Sequence, residues 1–301
     1  MKSFTFILYL LVGFPFCSAW GNLAHRTIAL LAQKYFTPEA SWYTRDLLGK
    51  ETIDSAAIWA DTYKLLPWGR DTASWHFVDA LDDPPNSCSV DYHRDCHPNR
   101  TCIITATMNM TEKISETTIA SRERQKALKF LLHLIGDLHC PLHAESIERG
   151  GNDILVLYRG IKTNLHFAWD VLIPRDIAGG EGLNEVETAY AWAERLYNKS
   201  TNEYGNAALV GVHGLQDLEQ ATSTKELLLR WATEANELVC RIVLKDGVED
   251  VRGKELSGEY YQGSVAVVEQ QITRAGIRLA MWMNLLAEKE ARLKWDKEEL
   301  R

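Results

Sequence analysis

Two stretches of this chain set a histidine and an aspartate four residues apart inside apolar surroundings: His133 with Asp137, and His166 with Asp170. On a helix, that spacing sends both side chains from one face. Leu131, Leu132, Leu134, Phe167 and Trp169 stand beside them and would bury them. An imidazole or carboxylate cluster taken out of water needs a compensating charge. One such pair alone is more often an exposed polar pair than a set of ligands. Here His143 follows just past Pro141, Asp61 and His76 precede on either side of a Pro- and Gly-containing turn, and His25 lies near the start. The accumulation points to a metal centre. Zinc accepts N and O donors from His and Asp, and the scarcity of adjacent cysteines argues against a structural Cys-rich site. His93, His97, His139 and His213 are assigned to no metal; His93 and His97 belong to an exposed loop, and His139 points away from the ligand face.

Around these residues the periodicity is mostly helical. Asn22 to Phe36 reads as a helix, and Thr37-Pro38 as an N-cap followed by Pro at the first position of the next. Helices are expected over Thr52 to Leu65, Arg122 to His139, and about 184–199, 224–244 and 263–288. Residues 80–105 read as loop. Only Ile154 to Tyr158 and Thr163 to Phe167, flanking Arg159-Gly-Ile-Lys162, read as a strand hairpin. The expectation is a mainly α single domain with one small β-hairpin inserted.

The N-terminus has Lys2, an apolar run from Phe4 to Phe16, then Cys17-Ser18-Ala19. This is the pattern of a cleaved secretory signal and is too short to span a bilayer, which takes about 20 apolar residues. The division expected is a signal over 1–19, a functional domain over 20–288 and a charged tail over 289–301. A secreted chain forms disulfides. Cys96 and Cys102 lie close in one polar loop; Cys88 and Cys240 would tie that loop to a late helix, leaving Cys140 free. Asn99, Asn109 and Asn198 begin glycosylation triplets. The net charge of -8 argues against a broad basic surface of the kind that grips duplex DNA. A polyanionic substrate would need local positive charge, which metal ions supply.

The full pattern is Trp20-Gly21 with His25, Trp59-Ala-Asp61, Trp75-His76-Phe-Val-Asp79, His133-Leu-Ile-Gly-Asp137-Leu-His-Cys-Pro-Leu-His143, Gly150-Gly-Asn152 and Asn164-Leu-His166-Phe-Ala-Trp-Asp170. It resembles the zinc-dependent single-strand nucleases of fungi and plants over nearly the whole chain after residue 19. The resemblance implies a helical bundle of the phospholipase C and nuclease type holding three Zn2+ ions. One ion would take Asp61, His76, His133 and Asp137, and a second His143, His166 and Asp170. The third would take His25, Asp137 and the amine and carbonyl of Trp20 freed by cleavage. Cys140 departs from the pattern, standing where an uncharged polar residue is expected.

The activity implied is that of a secreted, extracellular endonuclease acting on single-stranded DNA and RNA, leaving 5'-phosphorylated products, with 3'-nucleotidase activity as a further expectation. A hydroxide between the ions that share Asp137 would attack phosphorus. Lys64 would add charge at the phosphate, Phe77 would stack a base, and Asp79 would accept a hydrogen bond from its edge. A monomer without stable membrane association is expected. Two readings compete. A zinc-dependent phospholipase C would share the metal architecture, although Phe77, Asp79 and Asp170 favour a nucleotide over a lipid headgroup. A non-catalytic zinc-binding protein would not need a complete ligand set.

Overall fold

The structure is a computed structural model, and it describes residues 20–96, 101–182, 184–204 and 221–299. The signal expected over 1–19, together with His97, Asn99 and His213, lies outside the described residues. The architecture is mainly α with one two-stranded antiparallel hairpin. Among the described residues no helix is long and apolar enough to cross a membrane.

The centre is the helix Ser121–Asp137, buried continuously from Phe130 to its end. Ile103–Ser115, Pro38–Leu48, Trp59–Lys64 and the long helix Glu259–Glu299 pack around it. Asn22–Gln33 packs against the same long helix and against Glu185–Tyr204. Thr37 caps the second helix: its hydroxyl accepts from Ala40 N at 3.1 Å, with Pro38 at the first position.

Four elements differ from the sequence reading. Thr52 to Leu65 is two helices, Ile53–Ala57 and Trp59–Lys64, broken at Ile58. The break has a cause in the site: the Ala57 carbonyl, which a continuous helix would use internally, accepts from His133 Nδ1 at 2.7 Å. The second strand is Ile161–Asn164 rather than Thr163 to Phe167. Arg159 and Gly160 both take positive φ, 51° and 75°, so a two-residue turn closes the hairpin and pairing resumes at Ile161. The Asn164 side chain then accepts from Phe167 N at 2.7 Å and starts a helical turn at Leu165.

The helix Ile103–Ser115 was not anticipated. Its Thr and Ser content lowers helix propensity, but Thr107, Thr111 and Ser115 each return their hydroxyl to the carbonyl four residues back. Ile103, Ala106, Thr107, Met110 and Ile114 then form its buried stripe. Finally, the last helix runs over Glu259–Glu299, so most of the charged segment after residue 288 is helical.

Two disulfides join Cys88 to Cys240 and Cys96 to Cys102; Cys140 is a buried free thiol. Asn109 and Asn198 are exposed on their helices.

Candidate metal centre

Asp61 leaves the short helix Trp59–Lys64, His76 ends the 3-10 helix Arg70–His76, and His133 and Asp137 leave the last turn of the central helix. All four are buried. Their inward atoms form a compact cage. His133 Nε2 lies 3.1 Å from Asp137 Oδ2, 3.5 Å from Asp61 Oδ1 and 3.1 Å from His76 Nδ1. His76 Nδ1 lies 3.0 Å from Asp137 Oδ2 and 3.7 Å from Asp61 Oδ1. Donors at zinc bond lengths on a tetrahedron sit about 3.3 Å apart, close to the mean of these five spacings. Two imidazole nitrogens and two carboxylates around one point match the chemistry of a Zn2+ site.

The ring tautomers fit as well. His133 Nδ1 donates to Ala57 O, His143 Nδ1 to His76 O at 2.7 Å and His166 Nδ1 to Gly150 O at 2.6 Å. Each bond holds a proton on Nδ1 and reserves the inward-facing Nε2 for a metal, the usual outer support of a metal-bound histidine. Gly150 reaches its place through consecutive positive-φ residues, Glu148, Arg149, Gly150 and Gly151. A Cβ at Gly150 would come within 2.8 Å of Leu142 O, so the approach that presents its carbonyl to His166 needs glycine.

The second group is His143, His166 and Asp170. Asp170 Oδ2 lies 2.8 Å from His166 Nε2 and 3.6 Å from His143 Nε2. Asp170 stands in a widened turn of π type, Ala168–Leu172, a distortion frequent at functional positions. Its other oxygen, Oδ1, accepts from the Cys140 thiol at 3.2 Å. The thiol therefore turns Oδ2 toward the histidines. Burial, and then the charge of Asp170, push the Cys140 thiol well up, so it stays a donor.

His25 stacks on His133 with ring centres 3.8 Å apart. Its Nε2 lies 3.0 Å from Asp137 Oδ1, without the alignment of a hydrogen bond; both atoms are buried and unpartnered. Such atoms facing each other cost folding energy unless a cation sits between them. Asp137 thus presents Oδ2 to the cage and Oδ1 to His25. Trp20 is buried, and Gly21 N donates to Asp170 O at 2.8 Å, which draws this segment against the second group. A Cβ on Gly21 would meet Val171 Cγ2 at 3.0 Å and Asp170 O at 3.1 Å.

The electrostatics favour a cation. Burial alone would lower His133, but Asp137 and Asp61 outweigh it and carry it up to about 10. Burial pushes Asp61 and Asp137 up, and the facing histidines, His133 foremost, bring both well below the carboxylate range. Asp170 is held at about 2 against its burial by His166 and His143. Burial, with Lys64 nearby, lowers His76 to about 3. The aspartates are ionised, and burial holds His25 and His76 below the usual imidazole range, in the neutral form that ligation requires.

Lys64 is no ordinary solvated lysine: its Nζ holds Asp61 Oδ1 at 2.6 Å with both side chains mostly buried. Phe77 follows His76 in extended backbone; Phe77 and Asp79 are half-buried, whereas the alternate positions Val78 and Ala80 are buried. The alternation puts Phe77 and Asp79 on the same side. His139 is buried away from both groups, its Nδ1 donating to Ile135 O and its Nε2 meeting Arg278. His93 is exposed. The sequence reading gave no role to three groups that orient the candidate ligands: the Ala57 carbonyl, the Gly150 carbonyl and the Cys140 thiol. Only the Gly150-Gly151 pair signalled a special backbone.

Residues 20–288 match the family model described as S1/P1 nuclease. The chain is 41% identical to Nuclease S1 of Aspergillus oryzae over 272 residues, which is 89% of this chain and 92% of that one. It is 39% identical to Nuclease P1 of Penicillium citrinum over 269 residues, 88% of this chain and 97% of that one. Endonuclease 3 of Arabidopsis thaliana is 30% identical over 292 residues, 92% of each. With the family model covering most of the chain, and relatives of this identity matched nearly end to end, this protein belongs to the S1/P1 nuclease family and is a hydrolase of that class.

Proposed function

We propose that the chain is a secreted zinc-dependent endonuclease that cuts single-stranded DNA and RNA to 5'-phosphorylated products at a three-zinc centre. The observation that carries this reading is the cage of Asp61, His76, His133 and Asp137, at ligand spacing and with Asp137 offering its second oxygen to His25. His143, His166 and Asp170 would hold the second ion, and His25, Asp137 and the terminal amine and carbonyl of Trp20 the third. Bound zinc would supply Lewis acidity toward the phosphoryl oxygens and water acidified to a pKa of about 7.

The chain's own residues do the rest. Lys64 fixes Asp61 and adds positive charge beside the phosphate position. Phe77 offers a face for a base and Asp79 an acceptor for its edge; a base can lie there only when unstacked, which selects single strands. The -8 charge is no obstacle, because attraction for the polyanion is local. Secretion is supported by the leader pattern before Trp20 and by the two disulfides. The names of the relatives, nucleases and endonucleases, agree with the reaction.

The test is end-group analysis of a labelled single-stranded oligonucleotide, its duplex and phosphatidylcholine, with and without chelator. The single strand should be cut to 5'-phosphate ends, the activity lost on chelation and restored by zinc, and the duplex and lipid spared. Lipid hydrolysis without oligonucleotide cleavage would establish the phospholipase reading instead.

A further inference from the structure

Trp68 is 70% exposed, and Leu65 on the same loop 54%. A solitary exposed Trp is common enough to need no explanation. Trp68 differs by its place. Its loop joins the helix bearing Asp61 and Lys64 directly to the 3-10 helix bearing His76. Among the described residues Trp68 makes no hydrogen bond, ring contact or cation contact, and Arg70 two positions on is exposed without an ion-pair partner.

The loop is also pinned. Leu66 N donates to Tyr63 O, Gly69 N to Leu66 O, and Thr72 N and Oγ1 both to Gly69 O. Gly69 packs so closely that a Cβ there would fall 1.9 Å from Tyr63 O. Tyr63 is two residues beyond Asp61. Adding the chain geometry between these points keeps Trp68 Cα within roughly 15 Å of Asp61 Cα. The backbone that carries the exposed indole is therefore held by a fixed turn within about 15 Å of Asp61, so little ordering is needed when a partner docks on it.

We propose that Trp68 is a stacking platform for a base at least one nucleotide beyond the two that adjoin the reacting phosphate, with Arg70 taking a neighbouring backbone phosphate. This rests on the nuclease reading and extends it from one nucleotide to a strand. Aromatic faces joined to cations are how proteins hold single strands without reading sequence. A protein of net charge -8 has few other means of holding a strand beyond its metals. The other exposed indoles do not fit. Trp42 lines a groove of about 370 Å³ together with Glu39 and Glu290, which would repel a polyanion. Trp295 stands near the end of the last helix, outside the ligand-bearing elements.

The test compares Trp68→Ala and Trp68→Phe with the wild-type enzyme on dodecathymidylate and on the dinucleotide TpT, with binding of a phosphorothioate dodecamer as a readout independent of turnover. Trp68→Ala should raise KM and Kd for the long strand by about 5- to 100-fold, the range of one base stack, at unchanged kcat. TpT, too short to reach the loop, should keep its wild-type constants, and Phe should restore most of the long-strand affinity. If long-strand KM and Kd stay within twofold of wild type, or if TpT is weakened equally, the platform is refuted. If the wild-type enzyme cuts neither substrate, it is the nuclease reading that fails.

Discussion

Gly136→Ala is a substitution whose outcome should run opposite to its usual effect. In a helix it ordinarily gains up to about 1 kcal/mol through propensity. Gly136 precedes Asp137 on the central helix, and a Cβ there would lie 2.9 Å from His25 Nδ1, 3.1 Å from His25 Cε1 and 3.3 Å from Ile28 Cδ1. Ordinary carbon contacts are about 3.5–4.0 Å, so the His25 ring must retreat by roughly 0.6–1 Å. It has little room. It is fully buried and stacked on His133 at 3.8 Å. Retreat widens the 3.0 Å gap between His25 Nε2 and Asp137 Oδ1, the edge assigned to the third ion. Overpacking of this kind costs about 1–3 kcal/mol, which cancels or exceeds the propensity gain. The variant should be no more stable than the parent, and down by up to about 2 kcal/mol in urea unfolding of the metal-free protein. Elemental analysis should find one zinc fewer per chain. A Gly136→Ala protein that gains about 1 kcal/mol and keeps its full zinc would refute the close packing and the role of His25 together.

Four further outcomes follow from the same geometry. Cys140→Ala removes the donor to Asp170 Oδ1 and should weaken the second zinc about 10- to 100-fold in competition with a chelator, whereas Cys140→Ser should retain most of the affinity; equal affinity in both variants would show that the thiol orients nothing. The Cys88–Cys240 bridge spans 152 positions and Cys96–Cys102 only 6, so loop closure assigns them about 5 and about 2 kcal/mol, and denaturant unfolding of each double Cys→Ala variant should rank them in that order. His133, raised to about 10 from 6.5, gives the metal-free protein stability that is complete below 6.5 and lost as pH rises through 10; zinc displaces that proton, so calorimetry at pH 7 in buffers of different ionisation enthalpy should detect proton release, and buffer-independent heats would contradict it. An extra residue before Trp20 turns its amine into an amide that does not bind zinc; the chain should fold, keep the other two zincs and lose most activity, and normal turnover with three zincs would remove Trp20 from the ligand set.

The sequence made the candidate ligands legible because the constraint on them is local. His133 with Asp137 and His166 with Asp170 declare a shared face by spacing alone, and their apolar neighbours declare burial. What escaped depends on partners distant in sequence. The break at Ile58 exists because the Ala57 carbonyl serves His133, and no pattern within residues 52–65 records that bond. Gly136 is an ordinary helical glycine until His25 is packed against it. The helix Ile103–Ser115 was hidden by its Thr content, although its buried stripe has helical period. The second strand was misplaced because Arg159, a non-glycine residue, adopts positive φ, so the turn is shorter than its sequence suggested.

The most direct test of the account is the zinc content of the protein produced with its chain beginning at Trp20, measured by elemental analysis after dialysis against metal-free buffer and repeated on Asp137→Asn. The account predicts three zincs per chain in the parent, together with single-strand cleavage. In Asp137→Asn, which strips the charge shared by the cage and the His25 edge, it predicts about one zinc, held by His143, His166 and Asp170, and no cleavage. A parent that binds a single zinc, or an Asp137→Asn variant that binds three and cuts at the parental rate, would contradict a cluster organised around Asp137.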